Sequence, residues 1–354
     1  MTFDIEQFVG DCHNSLADDV PQKAIRPVAK AMTTRLVLVT ALSLAFLSQP
    51  TTPANGADAP PAWAYPMTPP GFKLPPDDGK LHHVPNSSAA FTTGQLQDRF
   101  FTKDWRPDDH PPMPDIVAYG RKADVLACGH CHRADGAGGP ENSSLTGLPA
   151  AYLRQQVVDF RDGARKSSVP QRIPVALMVS LSHAVTDDEV AQAAAYFSSL
   201  KPKRHIKVIE TDTVPKTYVA WLIYAVSKDG GSESIGGRIV EVPDDLDQFE
   251  SYDSRTEFTA YVPVGSVAKG EALVTSGGAD KTVQCGICHG PDLKGLGPIP
   301  GIAGRSPSYI VRQLYDFKHG ERAGPWSALM ARVVANLGEE DFISLAAYLA
   351  SREP

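Results

Sequence analysis

Leu153, Val157 and Phe160 fall at i, i+4 and i+7, one face of a helix, with Pro149 suited to its start and Gly163 to its end. Ile310, Leu314 and Phe317 repeat that spacing between Ser306-Pro307 and Gly320. A later helix is predicted from Thr186-Asp187-Asp188-Glu189, where Thr and Glu are spaced as a capping box, through Val190, Ala194 and Phe197 to Leu200. Its counterpart runs from Glu339 to Ala350, with Tyr348 matching Tyr196. Between these helical regions, residues 201–265 are rich in Val, Ile, Thr and Tyr and predict two or three strands or extended segments. Residues 48–115 hold 14 of the 30 prolines, a density that predicts neither regular helix nor central strand but a linker or irregular wrap. Aromatic residues such as Trp63, Phe91 and Trp105 imply that part of this lead packs on a surface.

Shifting the chain by 157 positions lays the second helical region on the first. Cys128, Gly129, Cys131 and His132 fall on Cys285, Gly286, Cys288 and His289. Tyr152, Gln156, Asp159-Phe160, Gly163 and Arg165 fall on Tyr309, Gln313, Asp316-Phe317, Gly320 and Arg322. A gap-free match of this length predicts two duplicated domains, because solenoid repeats have far shorter periods.

Residues 36–47 are a mostly apolar run of 12 behind Lys30 and Arg35, followed by small residues up to Ala57. That is the layout of an export signal, too short for the ~20 residues of a membrane span. Met32 would make an ordinary start for it, so residues 1–31, with Cys12, read as an extension absent from the mature protein. The expected order is extension 1–31, signal peptide 32–57, Pro-rich lead 58–114, domain 115–200, inter-domain segment 201–265 and domain 266–354, in the periplasm. Of the 354 residues 42% are hydrophobic, enough for a core, and the net charge of −7 lacks the basic footprint of a nucleic-acid partner. Seven acids and one Arg between Glu241 and Glu257 predict a solvated face.

The cysteines decide the chemistry. Cys128-Gly-His-Cys131-His132 and Cys285-Gly-Ile-Cys288-His289 are both C-x-x-C-H, the attachment signature of c-type haem. Two thiols on one short turn can add to the two vinyl groups of a porphyrin, and the following imidazole reaches its iron. A thioredoxin-like pair would need a βαβ context, a zinc site more ligands per repeat, and a disulfide would leave both histidines unexplained. Each iron needs a second axial ligand. Met178 and Met330 each end an Ala-Leu-Met triplet behind a Pro, eight residues before the last helix of the domain. His183 is the rival in the first domain, but Ala335 stands opposite it in the second; Met113 lies among prolines before its motif. The other histidines, His130 and His205 among them, read as surface or supporting residues.

These motifs, the Tyr-x-x-x-Gln-x-x-x-Phe helices and the Ala-Leu-Met loops resemble class I cytochromes c, specifically dihaem cytochromes of the c4 / c553 type. The resemblance covers about 115–200 and 266–354 and implies a mainly α fold: two small haem domains in tandem, joined by an extended, possibly β segment. It implies two covalent haem c groups held by Cys128, Cys131, Cys285 and Cys288, with His132/Met178 and His289/Met330 as iron ligands. The expected function is electron transfer with redox partner proteins, as a carrier or as the cytochrome subunit of a respiratory or dehydrogenase complex, with no small-molecule substrate. The alternative is a dihaem peroxidase, which needs one iron with an open position.

Overall fold

The computed structural model describes residues 59–354. The expected extension, Cys12 and the export signal lie outside the described residues. The first helical region contains Cys128–His132, Ala150–Arg161, Ile173–Ala184 and Asp187–Ser199. The second contains Gly286–His289, Pro307–Lys318, Ser327–Val334 and Glu339–Ser351. The long helices start where the sequence carries caps: Thr186 and Glu189 form a reciprocal box, and Ser306 accepts the Tyr309 N–H. Each region has its own core. Ile116, Val117, Leu153 and Phe197 fill the first; Leu273, Val311, Phe342 and Leu345 fill the second.

The second region has a helix that the periodicity did not single out, Ser266–Asp280, packed on the C-terminal helix Glu339–Ser351. Gly270 makes that crossing possible, since a Cβ there would stand 2.0 Å from the Ser344 carbonyl oxygen. In the first region only the single turn Asp115–Ala118 precedes the motif.

Two expectations about the lead and the inter-domain segment need correction. The lead is not uniformly irregular: Thr93–Gln97 is a short helix with a Thr92/Gln95 capping box, in the proline-free stretch between Pro85 and Pro107. Val84, Leu96 and Trp105 form a small core of their own, and Ala64 and Tyr65 enter the core of the second region. The acidic run 241–257 is not wholly a solvated face. Glu241 and Asp253 are buried, the first accepting from Ser306 Oγ and the Ser308 N–H, the second paired with Arg106.

The inter-domain segment does form strands. Phe258–Val262 lies in the middle of a three-stranded sheet, parallel to Ile206–Glu210 and antiparallel to Val240–Pro243. Thr217–Ala220 and Ile223–Val226 make a hairpin across Trp221-Leu222, with Trp221 at φ 57°. The two helical regions meet directly, through residues that are identical between the repeats. Arg165 donates to Tyr309 Oη (2.9 Å), Gln313 Oε1 (3.0 Å) and Gln156 Oε1 (2.9 Å). Arg322 mirrors it, donating to Tyr152 Oη (3.4 Å), Gln156 Oε1 (2.8 Å) and Gln313 Oε1 (3.2 Å). The two arginines also pair as an antiparallel β-bridge.

Candidate functional site

Each C-x-x-C-H segment is a single helical turn, so its two cysteines, three apart, lie on one face. Each turn ends in the same left-handed exit, at Arg133 (φ 71°, ψ 162°) and Gly290 (φ 83°, ψ 154°). That exit starts a loop that returns beneath the histidine. His132 Nδ1 donates to the Ser143 carbonyl at 2.9 Å and His289 Nδ1 to the Pro300 carbonyl at 2.8 Å. A carbonyl only accepts, so the proton is on Nδ1 and the lone pair of Nε2 is free to bind a metal. Burial lowers the pKa of both histidines and keeps the imidazoles neutral, the form that ligates iron. The four cysteines are free thiols. Burial pushes Cys128 up to about 12 and Cys131 and Cys285 up to about 11, the opposite of the lowered value of a redox-active Cys-x-x-Cys thiol. Paired thiols with an oriented, neutral imidazole therefore fit covalent haem c at both places.

Met178 and Met330 are half-buried, and both sit on helices, Ile173–Ala184 and Ser327–Val334, where loops were expected. Pro174 stands in the first turn of its helix, where the missing N–H costs nothing, so a proline before the methionine does not prevent helix. Met330 and Cys285 pack against the same core. In the first region Met113 and Cys128 share the core, and Met178 is not among the side chains packed against it. His183 is exposed.

The surroundings of the two motifs differ more than their sequences suggest. His130, expected as a surface or supporting residue, is buried: Lys103 Nζ lies 2.6 Å from its Nδ1 and the Tyr252 ring covers it at 4.9 Å between centroids. Arg133 lies over the rings of Tyr252 and Phe249. Thr102 sits where a Cβ on Gly129 would be, 2.6 Å away. The lead and the segment 246–252 thus cover the first motif helix. Nothing in the local periodicity marks Thr102, Lys103 or Tyr252 for this role, because they meet the motif from more than 25 residues away in sequence. Other histidines also have structural partners: His110 bonds Tyr196 Oη, and burial lowers the pKa of half-buried His205. Among the described residues the second motif helix has no such cover: Ile287 is 63% exposed and Cys288 is exposed.

The cytochrome c family model matches residues 117–201. The chain is 39% identical over 77 residues to cytochrome c-554(548) of Halomonas halodenitrificans, spanning 22% of this chain and 93% of that protein. It is 26% identical over 234 residues to the thiosulfate dehydrogenase electron acceptor of Thiomonas intermedia, 65% of this chain and 80% of that protein. It is 25% identical over 233 residues to cytochrome c4 of Pseudomonas aeruginosa, 64% of this chain and 85% of that protein.

Proposed function

This chain belongs to the cytochrome c family, and from that premise we propose that it is a dihaem electron-transfer protein of the cytochrome c4 kind, working in the periplasm. The observation that carries the reading is the pair of Nδ1–carbonyl bonds, made 157 positions apart by His132 and His289. Cys128 and Cys131 hold one haem c by thioether bonds, and Cys285 and Cys288 hold the other. When bound, each haem supplies a one-electron iron couple. The chain's own part is to hold and tune it. The Ser143 and Pro300 carbonyls fix each imidazole plane and make Nε2 a better donor. Met178 and Met330 would supply the second ligand to each iron, and two irons without an open position would suit electron transfer rather than peroxide chemistry. The matched positions of the two methionine helices support this reading over a peroxidase. Export of residues from 58 onward accords with a cofactor attached outside the cytoplasm. Relatives named as electron acceptors of thiosulfate dehydrogenase support a dehydrogenase as electron donor.

The test is an absorption study of the purified holoprotein. Two haems are expected in the alkaline pyridine spectrum, and Met178→Ala and Met330→Ala should each remove about half of the near-infrared methionine-to-iron band. One haem per chain overturns the dihaem reading. A band unchanged by Met178→Ala but altered by His183→Ala reassigns the first ligand, and rapid peroxide turnover overturns the carrier.

A further inference from the structure

The roof that the lead and the segment 246–252 place over the first motif brings charge as well as cover. Lys103 and Arg133 are both buried in it. Lys103 Nζ donates to the Asp98 carbonyl at 2.7 Å, lies 2.6 Å from His130 Nδ1 and stands 4.8 Å from the centroid of the Tyr252 ring. The Arg133 guanidinium lies 4.7 Å from the centroid of that ring and 5.1 Å from that of Phe249, whose carbonyl accepts from its NH2 at 3.3 Å. Acids do not cancel these cations. Glu141, 3.9 Å from Arg133, is one buried carboxylate shared among three buried guanidiniums, those of Arg133, Arg172 and Arg312. Asp98, which faces Lys103, is exposed. The cluster acts on a haem-bearing position: Arg99, Lys103 and Arg133 each pull the Cys131 thiol toward its anion, so their positive field reaches that sulfur. At the second motif, burial and the neighbouring Cys288 act on Cys285, and among the described residues no cation does. Gly290 stands there in the place of Arg133, with the same left-handed backbone.

We propose that Arg133 and Lys103 make the first domain the electron-holding half of the pair, so that an electron entering at the second domain moves on to the first and rests there. The proposal rests on the electron-transfer reading above. Reduction takes one unit of positive charge from the iron, so a fixed cation beside it favours the ferrous form and raises the potential. Burial keeps water and salt from screening that cation. The same ligand pair, a histidine and a methionine, is proposed for both irons, so ligand identity does not offset the difference. In the transfer the second iron goes from ferrous to ferric and the first from ferric to ferrous, with no atom or proton moved. The cations come from outside the duplicated signal: Lys103 belongs to the lead, and Arg133 is held by two rings of the inter-domain segment. The duplication supplied two like sites, and the added segments rank them.

The test is a spectroelectrochemical titration of the holoprotein at about pH 6, below the value of about 7 at which burial places Lys103. Two one-electron waves are expected, the first haem being favoured by about tenfold or more, which is ~59 mV for a one-electron couple. Met178→Ala should move the upper wave and Met330→Ala the lower, which assigns them. Arg133→Gln should lower the upper wave by about tenfold in the reduction equilibrium, ~59 mV, and leave the lower one in place. Arg133→Lys keeps the charge and should hold the upper wave. Lys103→Met, which leaves the backbone at Arg133 untouched, should lower it as Arg133→Gln does. The gap should persist between roughly 20 and 500 mM salt. An upper wave that belongs to the second haem overturns the proposal, as does one unmoved by both Arg133→Gln and Lys103→Met. So does an upper wave that falls equally in Arg133→Lys, since cover rather than charge would then set it, or a gap that closes in high salt, since surface charges would then set it. A wild-type protein with a single haem would instead defeat the electron-transfer reading.

Discussion

Replacing Asp253 with asparagine should lift the roof from the first motif without unfolding the protein. The Arg106 guanidinium meets the Asp253 carboxylate with two bonds, NH2 to Oδ2 at 2.9 Å and Nε to Oδ1 at 3.3 Å, and the side chains are 4% and 0% exposed. Beside them Trp105 Nε1 donates to the Ser251 carbonyl at 2.7 Å. These bonds pin the lead to the segment that places Tyr252 over His130. Asparagine keeps the volume but removes the charge and leaves the guanidinium buried without a counter-ion. Breaking a buried pair in this way costs about 3–5 kcal/mol. Arg106 keeps the carbonyls of Pro85 and Asn86 as acceptors, which puts the cost at the low end, about 3 kcal/mol. At 1.4 kcal/mol per factor of ten, local opening should become on the order of 100-fold more frequent. Hydrogen exchange by mass spectrometry reads this directly. Peptides from 99–106 and 246–256 should exchange on the order of 100-fold faster, while the C-terminal helix keeps its protection. Unchanged exchange in those peptides would refute the reasoning, and so would equal acceleration along the whole chain, because the pair would then hold the global fold rather than the roof.

Two further outcomes follow from the same asymmetry. Gly129→Ala should destabilise the first domain, since its Cβ would stand 2.6 Å from Thr102, whereas Gly286→Ala should be tolerated, its nearest neighbour being Pro291 Cα at 3.7 Å; equal melting shifts in the two variants would contradict this. Burial lowers Lys103 to about 7, below the ~10.4 of an unfolded lysine, so between those values the unfolded chain binds a proton that the folded one releases. Stability should therefore rise with pH across that window, by up to the order of 4 kcal/mol, and Lys103→Met should flatten the rise in urea titrations. A wild-type profile no steeper than that of Lys103→Met would remove the inference.

The helices and the two motif turns were legible in the sequence because their signals are local. A heptad-spaced Leu153, Val157 and Phe160, a capping box at Thr186 and a five-residue motif each state their structure within one or two turns. The helix Ser266–Asp280 escaped because its buried positions, Gly270, Leu273 and Val274, include a glycine that carries no hydrophobic signal and is needed for the crossing with Ser344. The segments that carry Met178 and Met330 read as loops but form helices, because a proline reads as a breaker even where, as at Pro174, it falls in the first helical turn. The roof was invisible for a different reason. Thr102, Lys103 and Tyr252 are ordinary residues made special by contacts at long sequence separation, and the buried pair of Arg106 with Asp253 lies in a run whose composition reads as solvated. The repeat also concealed a second meaning. Tyr152, Gln156 and Arg165 match Tyr309, Gln313 and Arg322 not through the cofactor motif but through the contact between the domains.

That contact has the logic of a symmetric dimer held within one polypeptide. Each half presents the same tyrosine, glutamine and arginine, and each set binds the other's, so the patch is complementary to itself. A self-complementary patch does not distinguish the sister domain from the same patch on another molecule. The tether of residues 201–265 makes that choice by mass action, holding the two copies at an effective concentration on the order of millimolar. Severed from its sister, either domain would be left with a surface built to find another copy of that patch.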